Sequence, residues 1–305
     1  MKIASIDIGT NTVRCLIGEV LGGVLTPLAI YRDIIRLGEG LRTRGELEPA
    51  AMGRLTAVLT AYGRHIRESG CRNIRAVGTS ALRDADGDGA IRRTLREILG
   101  YPVEVISGEE EARLTSLGVQ AGIGPMDDGL LLDIGGGSTE LIRVSDGINI
   151  WWTSLPAGVV HLTEELLQDD PPSPTQVQAL RTRFRNLIDL QRDDGGNRLA
   201  GTAGTPTTLA ALELGIDDYD PTLVNGHVLG LDTIRGLFKK FLSTTSAGRL
   251  AMTGMEKGRE DLIVAGTVMV LEVMDRWGHE EMIVSDWGLL EGIAIDLAKA
   301  VISNS

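Results

Sequence analysis

Two stretches of the chain carry one pattern of apolar and polar positions. Residues 2–8, with Ile3, Ala4, Ile6 and Ile8, read as a largely apolar strand, Gly9-Thr10-Asn11 interrupts it, and residues 12–20 read as a second strand. The pattern returns 126 residues later, with a run over 130–134, the turn Gly135-Gly136-Gly137-Ser138, and a run over 139–144. Short apolar runs bounded by glycine predict buried strands. Each half therefore predicts a β-hairpin with an aspartate, Asp7 or Asp133, just before a hydroxyl-rich glycine turn. Two such hairpins imply two similar domains that face each other across a phosphate.

The remaining pattern alternates strands with helices. Residues 24–37 read as strand and end in the loop 37–41. Met52, Leu55, Val58, Leu59, Tyr62 and Ile66 recur at helical spacing, and Gly70 is a stop signal. A strand over 74–77 leads into the turn 78–80, then a helix carries Ile91, Leu95, Ile98 and Leu99. After a strand at 103–106, Ser107 reads as an N-cap with Glu110 at the capping-box position. The glycine, proline and acid residues of 122–129 mark a boundary, giving domains 1–125 and 126–305. The second domain predicts strands at 130–134, 139–144 and 148–153, a helix from about 175 to 191, and a strand at 198–200 entering the turn 201–205. A helix near 260–276, a strand at 281–284 and a final helix close the chain, with packing of that helix back on the first domain as an option. The expected class is α/β.

Composition narrows the function. The 305 residues are 43% hydrophobic and 24% charged, with 39 glycines, as in a two-domain globular protein. A net charge of −12 disfavours nucleic acid as a partner. A phosphate compound would have to be held by local groups. No apolar run approaches the ~20 residues that span a bilayer, and the chain opens on a strand-like run without a signal peptide. No membrane partner and a cytoplasmic location are expected. Cys15 and Cys71 lie in or beside apolar runs and read as small buried hydrophobes, not a disulfide or metal site.

Neither a G-x-x-x-x-G-K-[ST] loop nor a G-x-G-x-x-G fingerprint after the first strand is present. In their place stand glycine-hydroxyl turns at 9–12, 78–80, 135–139, 201–205 and 285–288. Glycine lets backbone N–H groups approach an anion and form a nest. The phosphate-binding candidates are Gly9, Thr10, Asn11, Ser80, Gly135, Gly136, Gly137, Ser138, Thr139, Gly204 and Thr205. Asp7 and Asp133 either cap their own turns or hold Mg2+, whose hard oxygen ligands are carboxylates, waters and phosphate. Glu140, seven residues after Asp133, is a further carboxylate for the same ion. Glu109 and Glu110 read as complements to a helix dipole, whereas Glu111 is a candidate general base towards water. Asp84, Asp86 and Asp88 start like a calcium loop, but Leu95 stands where that loop needs Glu. His65, His161, His227 and His279 show no metal spacing.

The segments Asp7–Arg14, Gly78–Ala85, Ile106–Leu114 and Leu132–Leu141 resemble, in this order, signature motifs of the exopolyphosphatase/guanosine pentaphosphate phosphohydrolase family. Gly201–Thr205 and Val284–Gly292 complete the set, and the resemblance spans essentially the whole chain. It implies two ribonuclease-H-like domains of the actin/sugar-kinase/Hsp70 superfamily around a central cleft. It also implies Mg2+-dependent release of a terminal phosphate from inorganic polyphosphate, or of the 5′ γ-phosphate from pppGpp. Mn2+ is the substitute ion, no organic cofactor is expected, and a homodimer is allowed. By the family's motifs Glu111 orients or deprotonates water, Asp133 and Glu140 hold the metal with Asp7 nearby, and Arg83 binds phosphate. The first hairpin has Arg14 where the second has Glu140, and is assigned chiefly to phosphate. Long family members carry further C-terminal regions, so this chain is expected to favour short polyphosphates or a nucleotide. The stretch 254–261 departs from the family's Pro-x-Arg-Ala-Asp but keeps Arg259 and Asp261. A non-catalytic (p)ppGpp sensor and a small-molecule kinase of the same superfamily are the rival readings.

Overall fold

The computed structural model describes residues 1–191 and 193–303. It divides into two compact units, one built from residues 1–118 with those from Gly288 onward, the other from Val119–Trp287.

The first unit centres on β1 (Lys2–Ile8), whose last six residues are all buried. A strand buried on both faces belongs inside a sheet covered on both sides. It pairs antiparallel with β2 (Thr12–Leu21), which pairs antiparallel with β3 (Val24–Ile34). After the short α1 (Leu41–Arg44) and α2 (Pro49–Glu68), β4 (Asn73–Gly78) pairs parallel with β1. Next come α3 (Ser80–Ala85), α4 (Ala90–Leu99) and β5 (Val103–Val105), parallel to β4. The sheet order is β3-β2-β1-β4-β5. Ala4, Ile6 and Ile8 share a core cluster with Leu55, Leu59, Tyr62 and Ile66 of α2, the helical stripe read from the sequence.

From α5 (Gly108–Ile123) the chain passes to the second unit. There β6 (Asp128–Ile134), β7 (Thr139–Ser145) and β8 (Ile148–Leu155) form an antiparallel meander. Helices α6 (Val159–Leu166) and α7 (Pro174–Ile188) precede β9 (Arg198–Thr202), which is parallel to β6. Then follow α8 (Gly204–Leu214), α9 (Pro221–Val224), β10 (Val228–Gly230), α10 (Leu231–Leu242), α11 (Ser246–Leu250), α12 (Ile263–Trp277) and β11 (Glu281–Val284). The order β10-β11-β9-β6-β7-β8 repeats the first sheet and adds β10 at one edge. Each unit therefore has the ribonuclease-H-like plan of a three-stranded meander followed by two parallel strands. The last helix, α13 (Leu289–Ser303), belongs to the first unit, where Leu289 and Ile293 pack with Val77, Ile106 and Leu114.

The division at Gly118 lies inside α5, upstream of the 125/126 boundary read from composition. Its cause is close packing: a Cβ on Gly118 would stand 1.9 Å from the Gly288 carbonyl oxygen, and one on Gly292 would stand 1.8 Å from that of Leu114. Backbone contact this tight binds the start of α5 to α13. The strand expected over 24–37 stops at Ile34. The N–H groups of Ile35 and Arg36 both donate to the Asn11 carbonyl at 2.9 Å, and Arg36 adopts φ 48°, which turns the chain out of the sheet.

Both cysteines are free and buried. Burial, and then the neighbouring Cys71, push the Cys15 thiol up to about 12, and burial raises Cys71. Only the thiolate reacts. Ellman's reagent at pH 8 should leave both thiols unmodified in the native protein and titrate both in guanidinium chloride; rapid native labelling of either would contradict this burial.

Candidate functional site

In the first unit the β1–β2 turn closes by a hydrogen bond from Gly9 N–H to the Thr12 carbonyl, 3.0 Å. That register places Arg14 directly opposite Asp7. Arg14 donates to Asp7 Oδ2 from Nη2 at 3.0 Å and from Nε at 3.3 Å, while Asp7 Oδ1 is buried without a hydrogen-bond partner. Neither polar atom of the buried Asn11 side chain is hydrogen-bonded. Gly38 donates to the Thr10 carbonyl, so the loop after β3 braces the turn. Buried polar atoms without partners are costly in a finished core, and a polar ligand at this turn would relieve that cost.

The parallel strands β1, β4 and β5 end together, with Ile8, Gly78 and Val105 in register. Binding sites of open α/β sheets collect at such carboxyl ends. Ser80, buried, opens α3 there, and Arg83 follows one turn later. Arg83 Nη1 donates to Glu111 Oε2 at 2.6 Å and to the Ile106 carbonyl at 3.0 Å. Glu111 sits in the first turn of α5, its side chain 8% exposed. The Ser107 hydroxyl accepts the Glu110 N–H at 3.2 Å and the Ser107 carbonyl accepts the Glu111 N–H at 2.9 Å, so the cap read from sequence sets the start of this helix. The structure thus brings Arg83 and Glu111 into direct contact.

The second hairpin closes identically, Gly135 N–H to the Ser138 carbonyl at 3.0 Å, and places Glu140 opposite Asp133. Both carboxylates are buried. The same row continues to Ser154 on β8, whose hydroxyl donates to Glu140 Oε1 at 2.7 Å, and to Thr202 on β9. Gly158 presses on the glycine turn: a Cβ there would stand 2.3 Å from the Gly136 carbonyl carbon. The Val159 and Val160 N–H groups donate to the Gly135 and Gly136 carbonyls, and Thr139 Oγ1 donates to the Ala157 carbonyl. The turn 203–205 is not free loop. Gly204 begins α8, after Ala203 at φ 67°, a region usually left to glycine. A Cβ on Gly204 would fall 1.5 Å from Arg259 Nη1, so that guanidinium lies against the helix N-terminus, steadied by Glu256. A helix N-terminus and an arginine both attract an anion. Ser154, Gly158 and Arg259 were not among the site candidates read from sequence. Only the cross-strand register and the long-range packing mark the first two, and Arg259 carried just a motif remnant.

Among the described residues, no group of three or more His, Cys, Asp or Glu side chains is gathered as metal donors. A divalent ion on the second unit would rest on Asp133 and Glu140. Two hard carboxylates suit Mg2+, which completes its shell with waters and phosphate oxygens. Like charges directly opposite on a sheet are unfavourable, and a bound cation would offset that cost.

Ser154→Ala removes a hydroxyl from a buried carboxylate and should destabilise the fold by about 2 kcal/mol in urea unfolding. A loss below roughly 0.5 kcal/mol, the scatter of ordinary surface substitutions, would mean that this bond does not hold Glu140.

The profile of the Ppx/GppA phosphatase family matches residues 16–301. Exopolyphosphatase 2 of Mycobacterium tuberculosis is 32% identical, over 97% of this chain and 98% of its own length. Guanosine-5′-triphosphate,3′-diphosphate pyrophosphatase of Vibrio cholerae is 28% identical, over 97% of this chain and 59% of its own. The crystal structure of the Aquifex aeolicus Ppx/GppA family member superimposes with a TM-score of 0.85 at 31% identity, covering 100% of this chain and 99% of that one. With the duplicated actin-like domains, the two Gly-closed hairpins and a profile match that runs nearly end to end, the chain belongs to the Ppx/GppA phosphatase family.

Proposed function

We propose that this phosphoanhydride hydrolase is an exopolyphosphatase, which releases the terminal phosphate of inorganic polyphosphate by attack of water, with Mg2+ as its ion. The observation that carries the reading is Glu111, a buried carboxylate fixed by Arg83 at the capped start of α5. The fuller match to an exopolyphosphatase than to a pentaphosphate pyrophosphatase favours polyphosphate over pppGpp. The match to the second of these keeps pppGpp as the alternative substrate.

In this mechanism water attacks the terminal phosphorus in line with the bridging oxygen. The new bond is P–O from water; the P–O bond to the rest of the chain breaks, and its electrons stay on the departing phosphate. The water proton passes to a Glu111 carboxylate oxygen. Arg83 fixes this carboxylate at 2.6 Å, so that it also orients the water, as positioning residues do in phosphoryl transfer. Arg83, which donates to Glu111 and to the Ile106 carbonyl, would bind a phosphate oxygen of the substrate. Arg14, Gly9, Thr10 and Asn11 on one hairpin hold phosphate, as do Ser80, Gly135, Gly136, Gly137, Ser138, Thr139, Gly204 and Thr205 elsewhere. On the second unit Asp133 and Glu140 would hold Mg2+, and the ion would supply charge neutralisation at phosphate oxygens. Acceleration then comes from positioning and electrostatics.

Glu111→Ala should lower phosphate release by about 100-fold or more, with binding measured by calorimetry nearly unchanged. Polyphosphates of several lengths and pppGpp, assayed side by side with the wild-type enzyme, identify the substrate. Turnover by Glu111→Ala at the wild-type rate on all of them contradicts the role of Glu111, and turnover of pppGpp alone contradicts the polyphosphate reading.

A further inference from the structure

Four side chains of the first unit form a closed ring of ion pairs. Arg75 on β4 donates to Glu110 at 3.2 Å and to Asp296 at 2.7 Å. Arg113 donates to Glu110 at 2.7 and 2.9 Å and to Asp296 at 2.9 Å. Each carboxylate therefore bridges both guanidinium groups, and Glu104 on β5 adds an outer contact to Arg75 at 3.1 Å. A single exposed ion pair contributes little, but a network in good geometry restrains its members. Hydrogen bonding from Arg113, foremost, holds the Glu110 carboxyl below the usual carboxylate range, and the bond to Glu110 raises Arg113.

The ring's location matters more than its strength. Glu110 and Arg113 stand in the first turns of α5, and Glu111 is the next residue after Glu110. Successive helical residues point about 100° apart. The ring thus grips one face of the turn while Arg83 grips Glu111 on another. One turn before Asp296, Gly292 meets the backbone of Leu114, the neighbour of Arg113. The last helix therefore holds the start of α5 twice, by backbone contact and by charge.

We infer that Asp296, from the far end of the chain, is a positioning residue for Glu111, acting through Arg113 and Glu110. This rests on the reading of Glu111 as the group that orients water. Without the ring, α5 keeps its apolar packing but its first turn loosens, and Glu111 no longer has one fixed attitude. Misplacement by about 1 Å costs on the order of 100-fold in rate.

The experiment measures phosphate release from short-chain polyphosphate and from pppGpp by wild type, Asp296→Asn, Arg113→Gln, Asp296→Glu and Glu111→Gln, and by Asp296→Asn combined with Glu111→Gln. The ring touches solvent, so the two ring-breaking variants attack it from different helices without opening the core. Expected is a fall in kcat of about tenfold or more in both, at unchanged KM and nearly unchanged Tm. Recovery of most of kcat is expected in Asp296→Glu. In the Glu111→Gln background Asp296→Asn should bring no further loss. Wild-type kcat in both ring variants overturns the inference, as does an undiminished Asp296→Asn effect when Glu111 is already replaced. Wild-type kcat in Glu111→Gln is a separate result, which overturns the role of Glu111 itself.

Discussion

The register of two hairpins is the constraint on which the rest depends. In each, a glycine N–H bonds to the carbonyl three residues on, at 3.0 Å in both cases. That closure leaves no choice about what lies opposite the preceding aspartate: it is the residue seven positions later. In the first unit the residue is Arg14 and the result is an ion pair; in the second it is Glu140 and the result is two buried carboxylates side by side. One backbone therefore supports two kinds of chemistry. In the Asp–Arg pair the guanidinium donates to one carboxylate oxygen, Oδ2, and leaves Oδ1 buried without a hydrogen-bond partner. In the Asp–Glu pair Ser154 donates to Glu140, and the two hard carboxylates are of the kind that would suit a divalent cation.

The second ordering principle is the common end of the parallel strands. Beyond β1, β4 and β5 lie the Gly9 turn, Ser80 with Arg83, and Glu111. Beyond β6, β9 and β11 lie the Gly135 turn, Gly204 with Thr205, and the 285–288 turn. Thr202 Oγ1 and Ser285 Oγ both donate to the Trp287 carbonyl, which ties the last of these to the end of β9. Each unit so gathers its polar residues from segments far apart in sequence. The duplication supplies this frame, and individual substitutions at the strand ends decide what it holds.

Much of this was legible in the sequence because local signals were strong and agreed with each other. The hairpins showed as paired apolar runs around glycine, α2 as an apolar stripe ending before a glycine, and the α5 start as Ser107 three residues before Glu110. Other features left no local trace. Helix α8 is buried nearly all round, with Thr205, Thr207 and Thr208 among apolar residues, so it lacks a polar face to reveal its period. The end of β3 is set by hydrogen bonds from Ile35 and Arg36 to Asn11, a contact between turns that no pattern announces. The seat of Arg259 on Gly204 and the link from Arg113 to Asp296 join residues 55 and 183 positions apart. Pairings at such range are decided by packing, which the order of residues does not display.

The carboxylate pair of the second hairpin, Asp133 and Glu140, is our proposed holder of a divalent ion. Titration of Mn2+ followed by electron paramagnetic resonance, on wild type and Glu140→Gln, tests it most directly. Loss of a ligand should weaken Mn2+ binding by at least about tenfold, as even outer-shell changes do at metal sites. Undiminished affinity in Glu140→Gln would mean that the ion is held elsewhere than on this hairpin.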